Sequence, residues 1–210
     1  LEPFAGIPGV FVHGSNDYFA PSPKNPLRYL IGPSQHRPEE ATRLDVDALE
    51  SFFLDRLGWL NLNNDVTQIF LKRSRLELLG TNDAHRGWDR LDVLPALMDA
   101  LRELDEDPTD DPAVTIGVTH APYQRVLDSF TTQGADVIFA GHTHGGQVCV
   151  PGVGALITNC DLPREYARGL HVWHHALSAA YLNVSAGLGT SIYAPVRFAC
   201  PPEAVLVTLV

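Results

Sequence analysis

The sequence predicts an α/β layered fold built on a mixed sheet or two packed sheets, and three observations carry that expectation. Short apolar runs rich in β-branched residues alternate with amphipathic helical stretches through the middle of the chain. Strand-like runs, Tyr181 to Ser185 and Val205 to Leu209, follow toward the end. The 210 residues are 45% apolar and 19% charged, which suits one domain with a sizeable core and lies far from the composition of disordered chains. No stretch reads as a linker, so residues 1–210 are taken as one domain.

Gly9-Val10-Phe11-Val12-His13 reads as a short buried strand running into the turn-prone Gly14-Ser15-Asn16-Asp17. Five prolines between Ala20 and Glu40 remove backbone donors, so that segment, with Lys24, Arg28, His36 and Arg37, reads as a surface excursion. Asp45 is placed to cap a helix from about Val46 to Leu57, with Leu49, Phe52, Phe53 and Leu57 on one face and Gly58 as its stop. Gln68 to Lys72 and Arg75 to Leu79 suggest a hairpin ending in the loop Gly80-Thr81-Asn82-Asp83. A second helix, about Asp92 to Leu104, carries Leu94, Leu97, Met98 and Leu101, and the acidic run Asp105 to Pro112 after it reads as a solvated loop. The strand Val114 to Val118 runs into Thr119-His120-Ala121-Pro122. A helix over Gln124 to Gln133 leads to the strand Asp136 to Ala140, which runs directly into Gly141-His142-Thr143-His144-Gly145-Gly146.

A formal net charge of −10 without a Lys/Arg cluster argues against a protein that coats nucleic acid or lies on an anionic membrane, since either needs a basic stripe. Cys149, Cys160 and Cys200 are too few, and odd in number, for a disulfide framework; one bridge is compatible, and they read as buried small apolar residues. No apolar stretch reaches the roughly 20 residues of a membrane-spanning helix. Leu1-Glu2-Pro3-Phe4 lacks the basic and apolar regions of a signal peptide. With Leu at position 1 and Met98 the single methionine, the expectation is that translation began upstream.

The chain has nine histidines, and their placement carries more than their number. His120 and the pair His142/His144 directly follow apolar runs, which puts them at the carboxyl ends of buried strands, the edge where α/β sheets build sites. A lone histidine there is usually a satisfied polar group; three on neighbouring strand ends favour a site. The glycines Gly141, Gly145 and Gly146 let the backbone turn so that both imidazoles of the His-Thr-His string converge. Imidazole suits Zn, Fe, Ni and Mn-type ions, and added Asp or Asn oxygens bias a site toward Fe or Mn.

Gly141-His142-Thr143-His144-Gly145-Gly146-Gln147, preceded by an apolar strand and by a strand ending in His120, resembles the closing motifs of the calcineurin-like metallophosphoesterases. Ser185 to Ser191, with Pro195-Val196-Arg197, resembles the strand and loop after those motifs in single-domain bacterial members. The family pattern runs Asp-x-His, Gly-Asp-x-x-Asp, Gly-Asn-His/Asp, a lone His and Gly-His-x-His. The resemblance covers essentially the whole chain as the later two-thirds of such a domain. It implies a layered α-β-β-α sandwich of the metallo-dependent phosphatase type, truncated at its amino end, and two divalent metal ions, Mn, Fe or Zn. It implies further that His120 and His142 ligate one metal and His144 the other, with Asn16 a ligand beside His120 and His142. Serine stands where the motif's glycine would directly precede that asparagine. An alternative register sets Ser15 on the asparagine position and Asn16 on the histidine.

Two departures bear on activity. The Asp-x-His and Gly-Asp-x-x-Asp motifs, which supply the second metal's remaining ligands and the bridging carboxylate, would precede Leu1, so this chain alone is expected to hold at most one reasonably complete site, with weak metal binding. Asp17 takes the place after the asparagine where family members with a histidine protonate the leaving group; as a catalytic residue it would be a weak acid or orient another donor, favouring good leaving groups. The implied function is hydrolysis of phosphodiesters or phosphomonoesters by hydroxide generated between two metals. The alternative is a non-catalytic metal-binding or regulatory module derived from that fold. The partner is a phosphate-ester substrate whose identity specificity loops would set. The location is cytoplasmic or membrane-associated, because some members carry an amino-terminal anchor.

Secondary candidates remain open at this level. His13 either faces the site or packs beside it; Asp83 and His85 read as an ordinary turn; Arg197 is a distant candidate for a phosphate; Trp173-His174-His175 reads as an exposed loop or edge strand.

Overall fold

The computed structural model describes residues 1–20, 42–72, 74–104, 113–191 and 196–209. The proline-rich excursion beyond Ala20, the acidic run 105–112 and Pro195 lie outside the described residues.

In chain order the elements are β1 (Val10–Phe11), α1 (Ser15–Tyr18), α2 (Val46–Ser51), β2 (Leu60–Asn61), β3 (Asp65–Leu71), β4 (Ser74–Gly80), α3 (Leu94–Glu103), β5 (Val114–Thr119), α4 (Gln124–Thr132), β6 (Val137–Ala140), β7 (Cys149–Val150), β8 (Gly154–Ala155), β9 (Gly169–His175) and β10 (Ser178–Val184). Six of them form one mixed sheet in the order β3-β4-β5-β6-β10-β9. The four central strands are parallel to one another, and β3 and β9 close the two edges antiparallel. The fold is therefore mixed α/β, as the alternation of patterns predicts.

Period-two alternation divides the core between the two faces of this sheet. Leu79 of β4 packs with Leu94 and Met98 of α3, with Val126, Leu127 and Phe130 of α4, and with Ile138 and Leu182. Each of these is wholly buried, and such burial contributes roughly 1.5–3 kcal/mol per side chain. Leu76 and Leu78, one position out of phase on the same strand, face the opposite side with Leu62 and Ile116, against Val10 and Val12. That side carries β1 and β2, paired in parallel.

Local signals hold up well at α2. The Asp45 carboxylate accepts from the Ala48 N–H at 3.0 Å, and Gly58 ends the helical run in the left-handed conformation at φ 73°. The expected single helix changes character at Phe52, where the last turns, Phe52–Leu57, widen to π-helical geometry. The run Val205 to Leu209 departs from expectation. It forms no strand, and Val205, Leu206 and Leu209 are exposed; an alternating pattern becomes a strand only where a neighbouring edge takes up its backbone hydrogen bonds. Among the described residues, no helix is long and apolar enough to cross a membrane.

Candidate functional site

Because β4, β5, β6 and β10 are parallel, their carboxyl ends, Gly80, Thr119, Ala140 and Val184, lie along one edge of the sheet. Two of the loops that leave this edge carry predicted ligands, His120 after β5 and His142 with His144 after β6. Register does the positioning: Thr119 pairs with Ala140, so His120 and His142 leave neighbouring strands at nearly the same height. The Gly141 N–H then donates to the His120 carbonyl at 3.0 Å, locking the two loops together.

Nδ1 of His142 lies 3.1 Å from Nε2 of His120, and their rings meet edge to face. The other nitrogen of His142, Nε2, lies 3.2 Å from the Asn159 carbonyl oxygen. The Asn159 side-chain nitrogen lies 3.4 Å from the same Nε2, so backbone and side chain of Asn159 together hold this edge of the ring while Nδ1 faces His120. Both His142 and His144 occupy left-handed backbone conformations, φ 66° and 50°. For residues with a Cβ this costs free energy and persists only where the surroundings enforce it, which is typical of functional loops. Enforcement is visible here: the Thr143 hydroxyl donates to Ala167 O at 2.6 Å and accepts from Gly145 N at 3.1 Å. The His144 ring is hydrogen-bonded to the Gly189 backbone.

Burial governs the electrostatics of all three rings. It holds His142 down at about 4, with the His144 charge adding to the effect and the Asn159 carbonyl opposing it. Burial first, then the neighbouring histidines, holds His120 well below the ordinary histidine range. His144 is lowered by burial and by Arg197. All three are therefore neutral at pH 7, the form in which imidazole binds metal.

The turn after β1 reaches the same place. A Cβ on Gly14 would stand 2.5 Å from the His120 ring, so glycine is what allows this turn and that imidazole to touch. The next residues divide in orientation. Ser15 is buried and its hydroxyl donates to the Asp83 carboxylate, whereas Asn16 is exposed. Asp17 turns its carboxylate back to accept from the Gly14 N–H at 2.8 Å, closing the turn. His13 is buried, with Nε2 2.9 Å from Glu50 and Nδ1 3.9 Å from Asp17; it packs beside the site rather than facing it.

Asp83 and His85, which the sequence reads as an ordinary turn, lie beside the predicted residues, together with Asn159 and Tyr123, which the sequence does not single out. The loop after β4 supplies Asp83, wholly buried, whose carboxylate accepts from Ser15 and from the His85 N–H. Burial raises its pKa, and those hydrogen bonds oppose the rise. The His85 ring packs tilted against His142 at 4.6 Å between centroids, and its Nδ1 lies 2.8 Å from the Tyr123 hydroxyl. The available signal was position: Thr81-Asn82-Asp83 ends a strand of the same parallel set as His120. Asn159 and Tyr123 carried no such signal.

Arg197 is committed elsewhere. Its guanidinium donates to the carbonyls of His144, Ala186, Gly187 and Gly189, knotting the loops after β6 and β10. Trp173, His174 and His175 lie on edge strand β9, with Trp173 buried.

The donor set fits a metal ion in part. With metal–nitrogen bonds of about 2.0–2.1 Å, neighbouring ligand atoms of a tetrahedral or octahedral ion stand roughly 3 Å apart, which matches the His120–His142 separation. Among the described residues, no group of three or more His, Cys, Asp or Glu side chains is gathered into a complete metal cage.

No protein-family model matches this chain, and no solved structure matches it. The chain is similar to the uncharacterized protein YpbG of Bacillus subtilis (strain 168), with 29% identity over 206 residues that make up 97% of this chain and 59% of that protein. The chain thus spans about three-fifths of that relative's length.

Proposed function

We propose that this chain carries the closing half of the metal centre of a calcineurin-like phosphoesterase, which hydrolyses phosphate esters with two divalent ions of Mn, Fe or Zn type. The observation behind this reading is the 3.1 Å approach of His142 Nδ1 to His120 Nε2 at the carboxyl edge of parallel strands, with Asn159 holding the far edge of the His142 ring. His120 and His142 would hold one ion and His144 the other. The Gly14–Asp17 turn adds an oxygen ligand, from Asn16 in one register or from Ser15 in the other; the buried side of the turn belongs to Ser15. In the finer fold this reading entails, β1 and β2 belong to the second sheet of an α-β-β-α sandwich.

Bound divalent ions would supply Lewis-acid charge at the phosphoryl oxygens and lower the pKa of a water. The chain's own contribution is positional. Asn159 and Gly189 orient the ligating imidazoles, Gly14 admits His120 to the turn, and neutral rings at pH 7 leave nitrogen lone pairs free for metal. Asp17 is engaged with Gly14 N–H, so as a proton donor to the leaving group it must first release that turn.

The test is Mn²⁺-stimulated hydrolysis of an activated aryl phosphodiester, by this chain and by the full gene product, each beside its His142→Ala variant. Metal-stimulated turnover lost on that substitution supports the reading. Turnover that survives it removes His142 from the ligand set. Metal binding by the full gene product without turnover on any phosphate ester favours the non-catalytic module.

A further inference from the structure

Two thiols meet beneath the loop that carries His142 and His144. Cys149 Sγ lies 3.2 Å from the Gly145 carbonyl oxygen, and Cys200 Sγ lies 3.4 Å from the same oxygen and 3.3 Å from that of His144. The two thiols are also within hydrogen-bond reach of each other. Their backbones are joined directly. Phe198 N–H donates to Gln147 O at 3.0 Å, Cys149 N–H donates to Phe198 O at 2.9 Å, and Val148 and Phe198 form a parallel bridge. One residue later Ala199 takes a left-handed φ of 50°, which turns Cys200 in under Gly145 instead of onward along the ladder. Packing is tight at that point, since a Cβ on Gly145 would stand 2.7 Å from Cys200 Sγ. Cys149, Cys200, Ala155, Ala167 and Ala186 form a small core of their own, whereas Cys160 belongs to the main core.

We propose that Cys149 and Cys200 are a reversible dithiol/disulfide pair, a modification site that ties β7 to the 196–200 segment under the His142/His144 loop. Segments hydrogen-bonded one rung away bring the two Cα atoms toward the range of about 4.4–6.8 Å that a disulfide requires. The oxidant is hydrogen peroxide. One sulfur attacks the peroxide, breaking the O–O bond, to give a sulfenic acid and one water; the second thiol attacks that sulfur, forming the S–S bond and expelling a second water. Two protons and two electrons leave the protein and the peroxide takes them up. Cys200 is the first attacker, because its chain neighbours Ala199 and Pro201 are exposed. Both sulfurs are buried. The chain around Cys200 is exposed at Phe198, Ala199, Pro201 and Pro202 and has no regular structure beyond it, so local opening of this segment admits the oxidant. Oxidation also removes both thiol donors from the Gly145 carbonyl, in the loop that presents His144. The inference is independent of whether the chain binds metal.

The experiment is treatment of the native chain with hydrogen peroxide, followed by intact mass, peptide mapping and thiol titration after denaturation. The expected result is a mass loss of about 2 Da, one cross-linked peptide pair containing Cys149 and Cys200, Cys160 left as a thiol, and full reversal by dithiothreitol. Cys149→Ser and Cys200→Ser should each abolish the mass loss. A linkage through Cys160, a disulfide between chains, or retention of all three thiols under conditions that oxidise a small dithiol would overturn the proposal. The mapping on the native chain decides the matter even if a variant fails to fold.

Discussion

His142 Nδ1 and His120 Nε2 approach to 3.1 Å across the ends of two parallel strands, although 22 residues separate them in the chain. The closeness originates in β5–β6 register, which pairs Thr119 with Ala140, and in a left-handed His142 that turns its ring back over β5. Two neutral nitrogens at this distance hold either a shared proton or a metal ion. Asn159 holds the far edge of the His142 ring through its carbonyl oxygen and its side-chain nitrogen.

Metal affinity should follow this pair. Replacing His142 or His120 by Ala is expected to weaken Zn²⁺ or Mn²⁺ binding by at least about 100-fold, the upper end of what even an outer-shell change costs. Exchanging His174, on an exposed edge position, should leave it unchanged. Isothermal titration on the three variants checks this, and equal affinity in all three would refute the pair as ligands.

The metal-free protein should lose stability as pH falls. The ordinary histidine value is 6.5, and in the folded chain His142 sits at about 4 with His120 and His144 also lowered. Between those values the unfolded chain binds protons that the folded chain does not, so the unfolding free energy declines from about pH 6.5 downward and is flat above it. Each such group adds a slope of at most roughly 1.4 kcal/mol per pH unit. Urea midpoints in a chelator series across this window provide the measurement. Midpoints unchanged down to the lower end would mean that the rings are hydrated rather than buried.

Gly14→Ala should disturb the site and the fold together. The added Cβ would meet the His120 ring at 2.5 Å, so either the turn or the imidazole must shift, at a cost of about 1–3 kcal/mol. A lower melting temperature together with weaker metal binding is expected. Loss of stability with metal binding intact would show that the turn yields and His120 does not.

Arg197→Lys removes the planar fork that holds the carbonyls of His144, Ala186, Gly187 and Gly189. An ammonium has three donors on a single atom and cannot reach both loops, so destabilisation of roughly 2–4 kcal/mol is expected from the unpaired carbonyls. Amide hydrogen exchange should rise at residues 186–189 and 144–147 while the α3 and α4 faces stay protected. Exchange that rises uniformly would mean the knot is not local.

The sequence by itself determined the secondary elements whose signals are local. The Asp45 cap and the Gly58 stop act within one or two turns, and the alternation of Leu76, Leu78 and Leu79 depends only on the pleat. It also placed His120, His142 and His144 at strand ends, because an apolar run that stops at a polar residue marks where the chain leaves the core. Only the tertiary structure decided what those ends face. The 3.1 Å contact, the Asn159 carbonyl behind His142, the His85 ring tilted against it and the buried Asp83 beneath Ser15 all depend on parallel register between strands far apart in sequence. Long-range pairing likewise decided the fate of residues 205–209, where a strand-like pattern has no edge to complete it, and the meeting of Cys149 with Cys200, 51 residues later, through a single bridge and one left-handed alanine. Local propensity acts over a few bonds, whereas register and packing are set by which surfaces exclude water together.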